Sequence, residues 1–128
     1  MRLVSNGRGV ALALLACAEA LAQDSSAGVR LLVQSSPLAG LRYHDAAQVW
    51  QELRVGDALE LRREPDNPHD ANAVSVSWRG RKLGYLPRRE NAAAAWGLDR
   101  GQRLGARISR LAQHPNPARR IEAEVYAE

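Results

Sequence analysis

The chain has 128 residues, of which 45% are hydrophobic and 25% are charged. That length holds one compact domain and excludes an enzyme with separate cofactor and substrate domains. A single cysteine excludes an internal disulfide framework and a zinc site built from paired CxxC motifs. The formal net charge of +4 is a mild basic excess, which allows an anionic partner without indicating one. Composition alone therefore indicates an ordinary small globular domain.

The first 22 residues have the pattern of a secretory signal peptide. Arg2 and Arg8 supply a positive n-region, residues 10–18 form an apolar run, and residues 20–22 (Ala-Leu-Ala) offer a cleavage site. The apolar run is much shorter than the roughly 20 residues that a membrane span needs. We therefore predict a signal peptide over residues 1–22 and a periplasmic or secreted protein, with no membrane span.

Two alternatives for the N-terminus remain open. Residues 14–17 resemble a weak lipobox, and lipidation of Cys17 would attach the protein to a membrane. A start codon assigned too far upstream would instead place the true start near Val29 and the protein in the cytoplasm. Beside the predicted signal peptide, residues 23–32 are predicted to be a linker and the start of the first strand.

From Val29 onward, short apolar runs alternate with turn residues. Period-two alternation indicates strands, and Asn91 is a plausible N-cap for a helix. The predicted elements, in chain order, are a strand over 30–34 that ends at residues 35–37, a helix over 46–53, strands over 59–62, 73–78 and 82–86, a helix over 92–96 that ends at Gly97, and strands over 104–111 and 121–125.

This order predicts a mainly β domain with one or two short helices. Five or six short strands, with a helix between late ones, indicate a small OB-like β-barrel. Aromatic residues are scarce, and Trp50, Trp78 and Trp96 each fall on an apolar face of a predicted element. All three tryptophans are therefore predicted to lie in the core.

Residues 62–74 carry two prolines and four Asn or Asp side chains between two predicted strands. They could form a rigid turn in which these side chains cap backbone N–H groups, or a loop that projects His69 and Asp70 toward a ligand. With His44, these residues could also suggest a metal or acid–base site. Their spacing is not diagnostic, and no HExxH, GxSxG or P-loop motif occurs. We predict no metal site, no cofactor and no catalytic residue.

Two other segments place a tyrosine beside arginines. Arg42 precedes Tyr43, while Tyr85 is followed by Arg88 and Arg89. Bases stack on aromatic faces and guanidinium groups hold phosphates, so this pairing suits a surface that binds single strands. A structural alternative stays open, because tyrosines also occur at barrel rims and arginines solvate strand ends. Arginine supplies all cations except Lys82, the one lysine in the chain.

Taken together, these segments resemble the HIRAN domain family. The run R-E-P-x-N-P-x-D, followed at a fixed distance by L-G-Y-L-P-R, is specific to that family. The resemblance covers roughly residues 33–125, and we assign the HIRAN domain to residues 33–126. The matching segments are residues 38–43 (LAGLRY), 53–57 (LRVGD), 59–70 (LELRREPDNPHD), 72–74 (NAV), 82–88 (KLGYLPR) and Asn91.

The resemblance implies an OB-like barrel that binds nucleic acid without catalysis and grips single-stranded DNA at a free 3′-OH end. By position, Tyr43 would stack on the terminal base and Arg42 would contact phosphate. Asn67 and Asp70 would reach the terminal nucleotide, and Arg89 would face the DNA backbone. A carboxylate among cations repels phosphate but accepts a hydrogen bond from a hydroxyl, which would favour a 3′-OH over a 3′-phosphate.

Two positions depart from the eukaryotic members of the family. His69 stands where they have a tyrosine, and Tyr85 stands where they have a histidine. A periplasmic domain that binds a protein or another ligand through the same barrel remains an alternative, and a metal-dependent hydrolase is a less favoured one. The predicted nucleic-acid-binding residues are Arg42, Tyr43, Asn67, His69, Asp70, Tyr85, Arg88 and Arg89.

Overall fold

The computed structural model describes residues 30–128. The predicted signal peptide, the lipid site at Cys17 and the alternative start near Val29 all lie outside the described residues. No helix within residues 30–128 is long and apolar enough to cross a membrane. The strands are β1 (Leu31–Pro37), β2 (Ala58–Arg63), β3 (Val74–Trp78), β4 (Arg81–Tyr85), β5 (Leu104–Leu111) and β6 (Ile121–Ala127); the helices are α1 (Ala46–Val49) and α2 (Ala92–Asp99), with 3-10 turns at Leu41–Tyr43, Trp50–Glu52 and Pro117–Arg119.

The six strands form one antiparallel sheet in the order β1-β6-β5-β2-β3-β4. The segment that follows β1 joins the two ends of this sheet. The N–H of Leu38 donates to the carbonyl oxygen of Ile121 on β6 at 2.9 Å, and Ala39 exchanges two backbone hydrogen bonds of 2.8 and 2.9 Å with Tyr85 on β4. Because β4 ends the sheet, this bridge closes it into a barrel. The predicted mainly β, OB-like barrel with two short helices is confirmed.

Gly84 permits the close approach at this closure. A Cβ atom placed there would lie 2.3 Å from the backbone oxygen of Ala39 and 3.2 Å from Leu41. Glycine inside a strand often marks such a place, where another backbone comes too near for any side chain. The glycine of the LGYLPR segment therefore has a structural reason.

The barrel interior is filled by the inward-facing residues of the strands. The alternation in β3 buries Val74, Val76 and Trp78, although Ser75 is also buried and donates to the carbonyl oxygen of Arg62. Close packing of branched apolar side chains is the main source of stability for such a core. The branched side chains with no exposed surface are Val74, Val76, Leu83, Ile108, Ile121 and Val125.

Several predicted element ends are wrong. The helix predicted over 46–53 is an α-helix only over Ala46–Val49 and continues as a 3-10 turn, and the last strand runs to Ala127. The first strand continues through residues 35–37, because β1 lies at the end of the sheet order and Pro37 can turn its missing N–H away from β6. Helix α2 continues through Gly97 to Asp99. Glycine weakens a helix interior without breaking it, and Gly97 is buried here.

The prediction that all three tryptophans lie in the core is wrong for Trp96. Its side chain is 56% exposed, whereas Trp78 is buried and Trp50 is half-buried against the core. Helix α2 buries small residues instead, with Ala94 and Ala95 fully covered. Small side chains bring the helix backbone close to the barrel and leave no room there for an indole ring. Trp96, which follows them, therefore projects outward.

Candidate nucleic-acid interface

A groove of about 620 Å³ lies where the barrel closes, and we call it the closure groove. Its walls come from the turn after β1, the loop between β2 and β3, and the end of β4. The bridge between Ala39 and Tyr85 brings the first and the last of these segments together. Six of the eight predicted binding residues line it, namely Tyr43, Asn67, His69, Asp70, Tyr85 and Arg88, and His44 lines it with them.

Tyr43 presents an exposed ring at one wall of the closure groove. Gly40, with a φ of 71°, turns the chain into the 3-10 turn Leu41–Tyr43, and the Tyr43 side chain is left 71% exposed. The Arg42 guanidinium lies 4.9 Å from the centre of the Tyr43 ring and donates to its hydroxyl at 2.8 Å. Arg42 therefore supports the tyrosine from outside the groove instead of lining it.

The loop between β2 and β3 is held rigid by its own side chains. The Asn67 Oδ1 atom accepts from the N–H of His69 at 2.9 Å, and the Asp70 Oδ1 atom accepts from the N–H of Asn72 at 2.9 Å. The capping interpretation is thus confirmed at Asn67 and extends to Asp70. An ionised carboxylate has about four acceptor sites, so Asp70 keeps acceptor capacity for a ligand beyond its bonds within the protein.

Asn91 fixes the other oxygen of this carboxylate. Its side chain is buried, makes no capping bond at the start of α2, and donates through Nδ2 to Asp70 Oδ2 at 2.7 Å. From the sequence, Asn91 was predicted as a helix N-cap and as a position of the family match, but not as part of the binding site. Its place in the family pattern, just after the LGYLPR segment, was the signal that could have marked it as part of the site.

A second network, which the sequence argument missed, lies beneath Tyr85. The Tyr85 hydroxyl donates to Glu64 Oε1 at 2.9 Å and accepts from Lys82 Nζ. Lys82 Nζ also pairs with Glu64 Oε2 at 2.8 Å and lies 4.3 Å from the centre of the Tyr85 ring. Asn67 Nδ2 donates to Glu64 Oε1 at 3.2 Å. Glu64 therefore ties Tyr85 to the β2–β3 loop, and a lone lysine in an arginine-rich chain was the available signal.

This network holds both of its charges at neutral pH. Burial opposes ionisation of Glu64, but hydrogen bonds from Lys82, Tyr85 and Asn67 outweigh it and keep its pKa below the usual value. Burial likewise opposes the charge of Lys82, and the hydrogen bonds to Glu64 and Tyr85 raise its pKa overall. The two charges compensate each other, so this network adds no net charge beside the closure groove.

His44 completes the aromatic lining as a neutral ring. Burial and the nearby Lys82 charge both lower its pKa, although Glu64 and Asp45 oppose the shift. The His44 ring meets Tyr85 edge to face, with centroids 5.5 Å apart and planes at 62°. Such a geometry is favourable for aromatic pairs and holds Tyr85 from a second side.

Stability should depend on pH through Glu64. Because the folded-state pKa of Glu64 is lowered, its contribution is present above the unfolded value and is lost as pH falls through the folded one. We expect the free energy of unfolding in urea to fall between about pH 5 and pH 3 more steeply for the wild type than for Glu64→Gln. Glu60→Gln, at an exposed position of β2, should keep the wild-type slope. Equal slopes for the wild type and Glu64→Gln would contradict this prediction.

The two arginines after β4 are both exposed. Arg88 lines the closure groove, whereas Arg89 lies in the same turn outside it. Neither makes a hydrogen bond or an ion pair within the described part of the chain. Their guanidinium groups are therefore free to meet an anion. Among residues 30–128, no three His, Cys, Asp or Glu side chains come together as metal ligands would.

A small closed barrel with an aromatic groove at its closure is a compact binding domain of OB-like type. A family model described as HIRAN domain matches residues 31–128, and the chain belongs to that family. Family membership supports a nucleic-acid-binding module. HIRAN is a binding module.

Three known proteins are similar to the chain. A crystal structure of a protein from Lactobacillus plantarum has a TM-score of 0.68 and 33% identity, covering 77% of this chain and 95% of that one. The HIRAN domain of human HLTF has a TM-score of 0.56 and 20% identity over 78% of this chain and 80% of that one, which shows the shared fold. Helicase-like transcription factor from Oryctolagus cuniculus is 35% identical over 63 residues, so the match spans 48% of this chain and 6% of that protein.

Proposed function

We propose that this domain grips single-stranded DNA at a free 3′-OH end in the closure groove. The observation that carries the proposal is the juxtaposition of Tyr43, Tyr85, Asp70 and Arg88 around one cleft. Aromatic faces suit bases, a guanidinium suits phosphate, and a carboxylate suits a hydroxyl. These groups would therefore recognise the base, the phosphate and the 3′-hydroxyl of a terminal nucleotide.

Tyr43 is the stacking platform for a base near the end of the strand. Its ring is largely exposed and lines the groove, and the Arg42 guanidinium that supports it also adds positive charge beside the base. Stacking on an aromatic side chain contributes about 1–3 kcal/mol per base with little dependence on sequence. Tyr85, held by Glu64, Lys82 and His44, forms the more rigid wall of the groove.

Asp70 selects the chemistry of the end. Its carboxylate is fixed by Asn72 and Asn91, so it does not need to reorganise when a ligand arrives. A 3′-hydroxyl can donate a hydrogen bond to this carboxylate, whereas a 3′-phosphate would place a second negative charge beside it. The phosphates farther along the strand meet Arg88 at the groove edge. Binding, and not turnover, is the proposed activity.

Fluorescence anisotropy of the full chain with labelled octanucleotides tests this proposal. We expect the strand with a 3′-OH to bind at least about tenfold more tightly than the same strand with a 3′-phosphate, because a hydrogen bond to a charged group contributes about 1.5–3 kcal/mol. Phosphorylation of the 5′ end of the same strand should leave the affinity almost unchanged. Equal affinity for both 3′ ends would overturn end recognition, and absence of binding at moderate salt would overturn nucleic-acid binding altogether.

A further inference from the structure

A second groove of about 470 Å³ lies beside the closure groove, and Arg42 is the one predicted binding residue among those that line it. We call it the Trp50 groove. It lies between the segment around α1 and the loop that joins β5 to β6. The residues that give it its character are Leu41, Arg42, Ala46, Trp50, His114 and Arg120.

The Trp50 groove combines an apolar floor with a basic rim. Leu41 and Ala46 are buried beneath it, and Trp50 is half-buried, so part of its ring remains accessible. Arg42 and Arg120 stand on the rim, and the described residues that line the groove include no Asp or Glu. An apolar partner alone would gain nothing from this charge. An aromatic face between two guanidinium groups is complementary to a base with its phosphates.

Arg120 is held in place before any ligand arrives. Its Nε donates to the carbonyl oxygen of His114 at 2.7 Å, and its Nη2 donates to that of Pro115 at 3.2 Å. These bonds anchor the guanidinium to the loop backbone, and no carboxylate within residues 30–128 forms an ion pair with it. A cation fixed in this way loses little side-chain entropy when it meets a phosphate.

The two grooves are continuous across one turn of backbone. Gly40 and Tyr43 line the closure groove, while Leu41 and Arg42 line the Trp50 groove, and a small cleft beside Pro117 joins them. The 3-10 turn between them has three residues and spans about 6 Å at the usual rise of about 2 Å per residue. A strand whose 3′ end lies in the closure groove can therefore pass over Arg42 into the second groove.

We propose that the Trp50 groove is a second subsite for the same DNA strand. It would take a nucleotide on the 5′ side of the terminal one, with its base stacked on Trp50 and its phosphates between Arg42 and Arg120. This inference rests on the proposed function, because it uses the strand direction that the 3′ end sets. OB-fold sites commonly span about 4–16 nucleotides, so one terminal pocket would be unusually short for this architecture.

The test compares a dinucleotide with an octanucleotide, both ending in a 3′-OH. We expect the wild type to bind the octanucleotide more tightly and Trp50→Leu, which keeps an apolar side chain, to weaken that binding at least about fivefold. Arg120→Gln should lower the slope of log K against log salt for the octanucleotide by about 0.7. Neither variant should change the affinity for the dinucleotide, and Arg119→Gln, an exposed arginine outside the Trp50 groove, should behave as the wild type.

The outcomes separate this inference from the proposed function. If both variants bind the octanucleotide as tightly as the wild type, the second subsite is overturned, while a preserved preference for the 3′-OH leaves end recognition standing. If the length effect depends on Trp50 and Arg120 but the 3′-OH preference is absent, only end recognition fails. If Trp50→Leu does not fold, as shown by circular dichroism, Arg120→Gln decides alone.

Discussion

Asp70→Asn is expected to abolish the preference of this domain for a 3′-OH over a 3′-phosphate. The substitution keeps the size of the side chain and an oxygen for the N–H of Asn72, but removes the negative charge. Binding of the 3′-OH strand should weaken about 10- to 100-fold, because a hydrogen bond to a charged acceptor contributes about 1.5–3 kcal/mol. Binding of the 3′-phosphate strand should strengthen, because its repulsion is gone. Competition anisotropy with both strands measures the ratio directly.

Asp66→Asn is the matched control for this prediction. Asp66 lies in the same loop, is exposed, and lines a neighbouring cleft instead of the closure groove. Because both variants exchange one Asp for Asn, they have the same net charge. Asp66→Asn should improve binding of both strands slightly and equally. A comparable loss of end preference in Asp66→Asn would assign the effect to overall charge. An unchanged preference in Asp70→Asn would contradict the role of the carboxylate.

Urea unfolding must accompany these measurements, because Asp70 also contributes to the fold. The amide of Asp70→Asn has a single oxygen in place of two. It can accept from the N–H of Asn72 or from the Nδ2 of Asn91, and the other hydrogen bond is lost. A lost hydrogen bond of this kind costs about 1 kcal/mol. The protein remains folded at that cost if its stability is typical of small domains, so affinity can be compared at equal folded fraction.

The parts of the fold that depend on local pattern were predictable from the sequence. Alternation in β3 placed Val74, Val76 and Trp78 on one face, and the turn residues around Gly80 placed a hairpin after them. These features need only the two-residue period of a strand and the preferences of turn residues. The loop residues Asn67 and Asp70 were predicted because they belong to a specific motif.

The parts that depend on distant partners were not predictable in this way. Asn91 pairs with a carboxylate 21 positions earlier, and Glu64 meets Tyr85 at the same separation. No local pattern indicates which polar side chain will cross to which element. Trp96 was misplaced for a related reason, because its exposure is decided by how closely the small residues of α2 approach the barrel.

Arg42 shows how a correct motif can still give an incomplete placement. The sequence places it beside Tyr43, and the structure sets its guanidinium against that ring without making it part of the closure groove. It can then support the stacking face and also meet a phosphate beyond the turn. How the barrel closes determines which groove the Arg42 side chain lines, and the sequence predicted the barrel only as a fold class.

Gly84→Ala is expected to destabilise the domain by about 3 kcal/mol or more. Its Cβ would lie 2.3 Å from the backbone oxygen of Ala39, so one of the two backbones has to move. Overpacking a tight site costs about 1–3 kcal/mol, and the two hydrogen bonds between Ala39 and Tyr85 would be lost or lengthened as well. Urea unfolding measures the loss. Because the same bridge holds the walls of the closure groove together, the affinity for a 3′-OH strand should fall even where the variant remains folded.

Gly97→Ala is the control that makes this result specific to the closure. Gly97 is also buried, but a Cβ there would meet first the side-chain oxygen of Gln102, at 2.7 Å, and that flexible group can move aside. Alanine favours helix over glycine by up to about 1 kcal/mol, so this variant should be neutral or more stable than the wild type. Equal losses in both variants would indicate that any added methyl group is harmful. A loss confined to Gly84→Ala would show that the barrel and its groove depend on one backbone contact between the ends of the sheet.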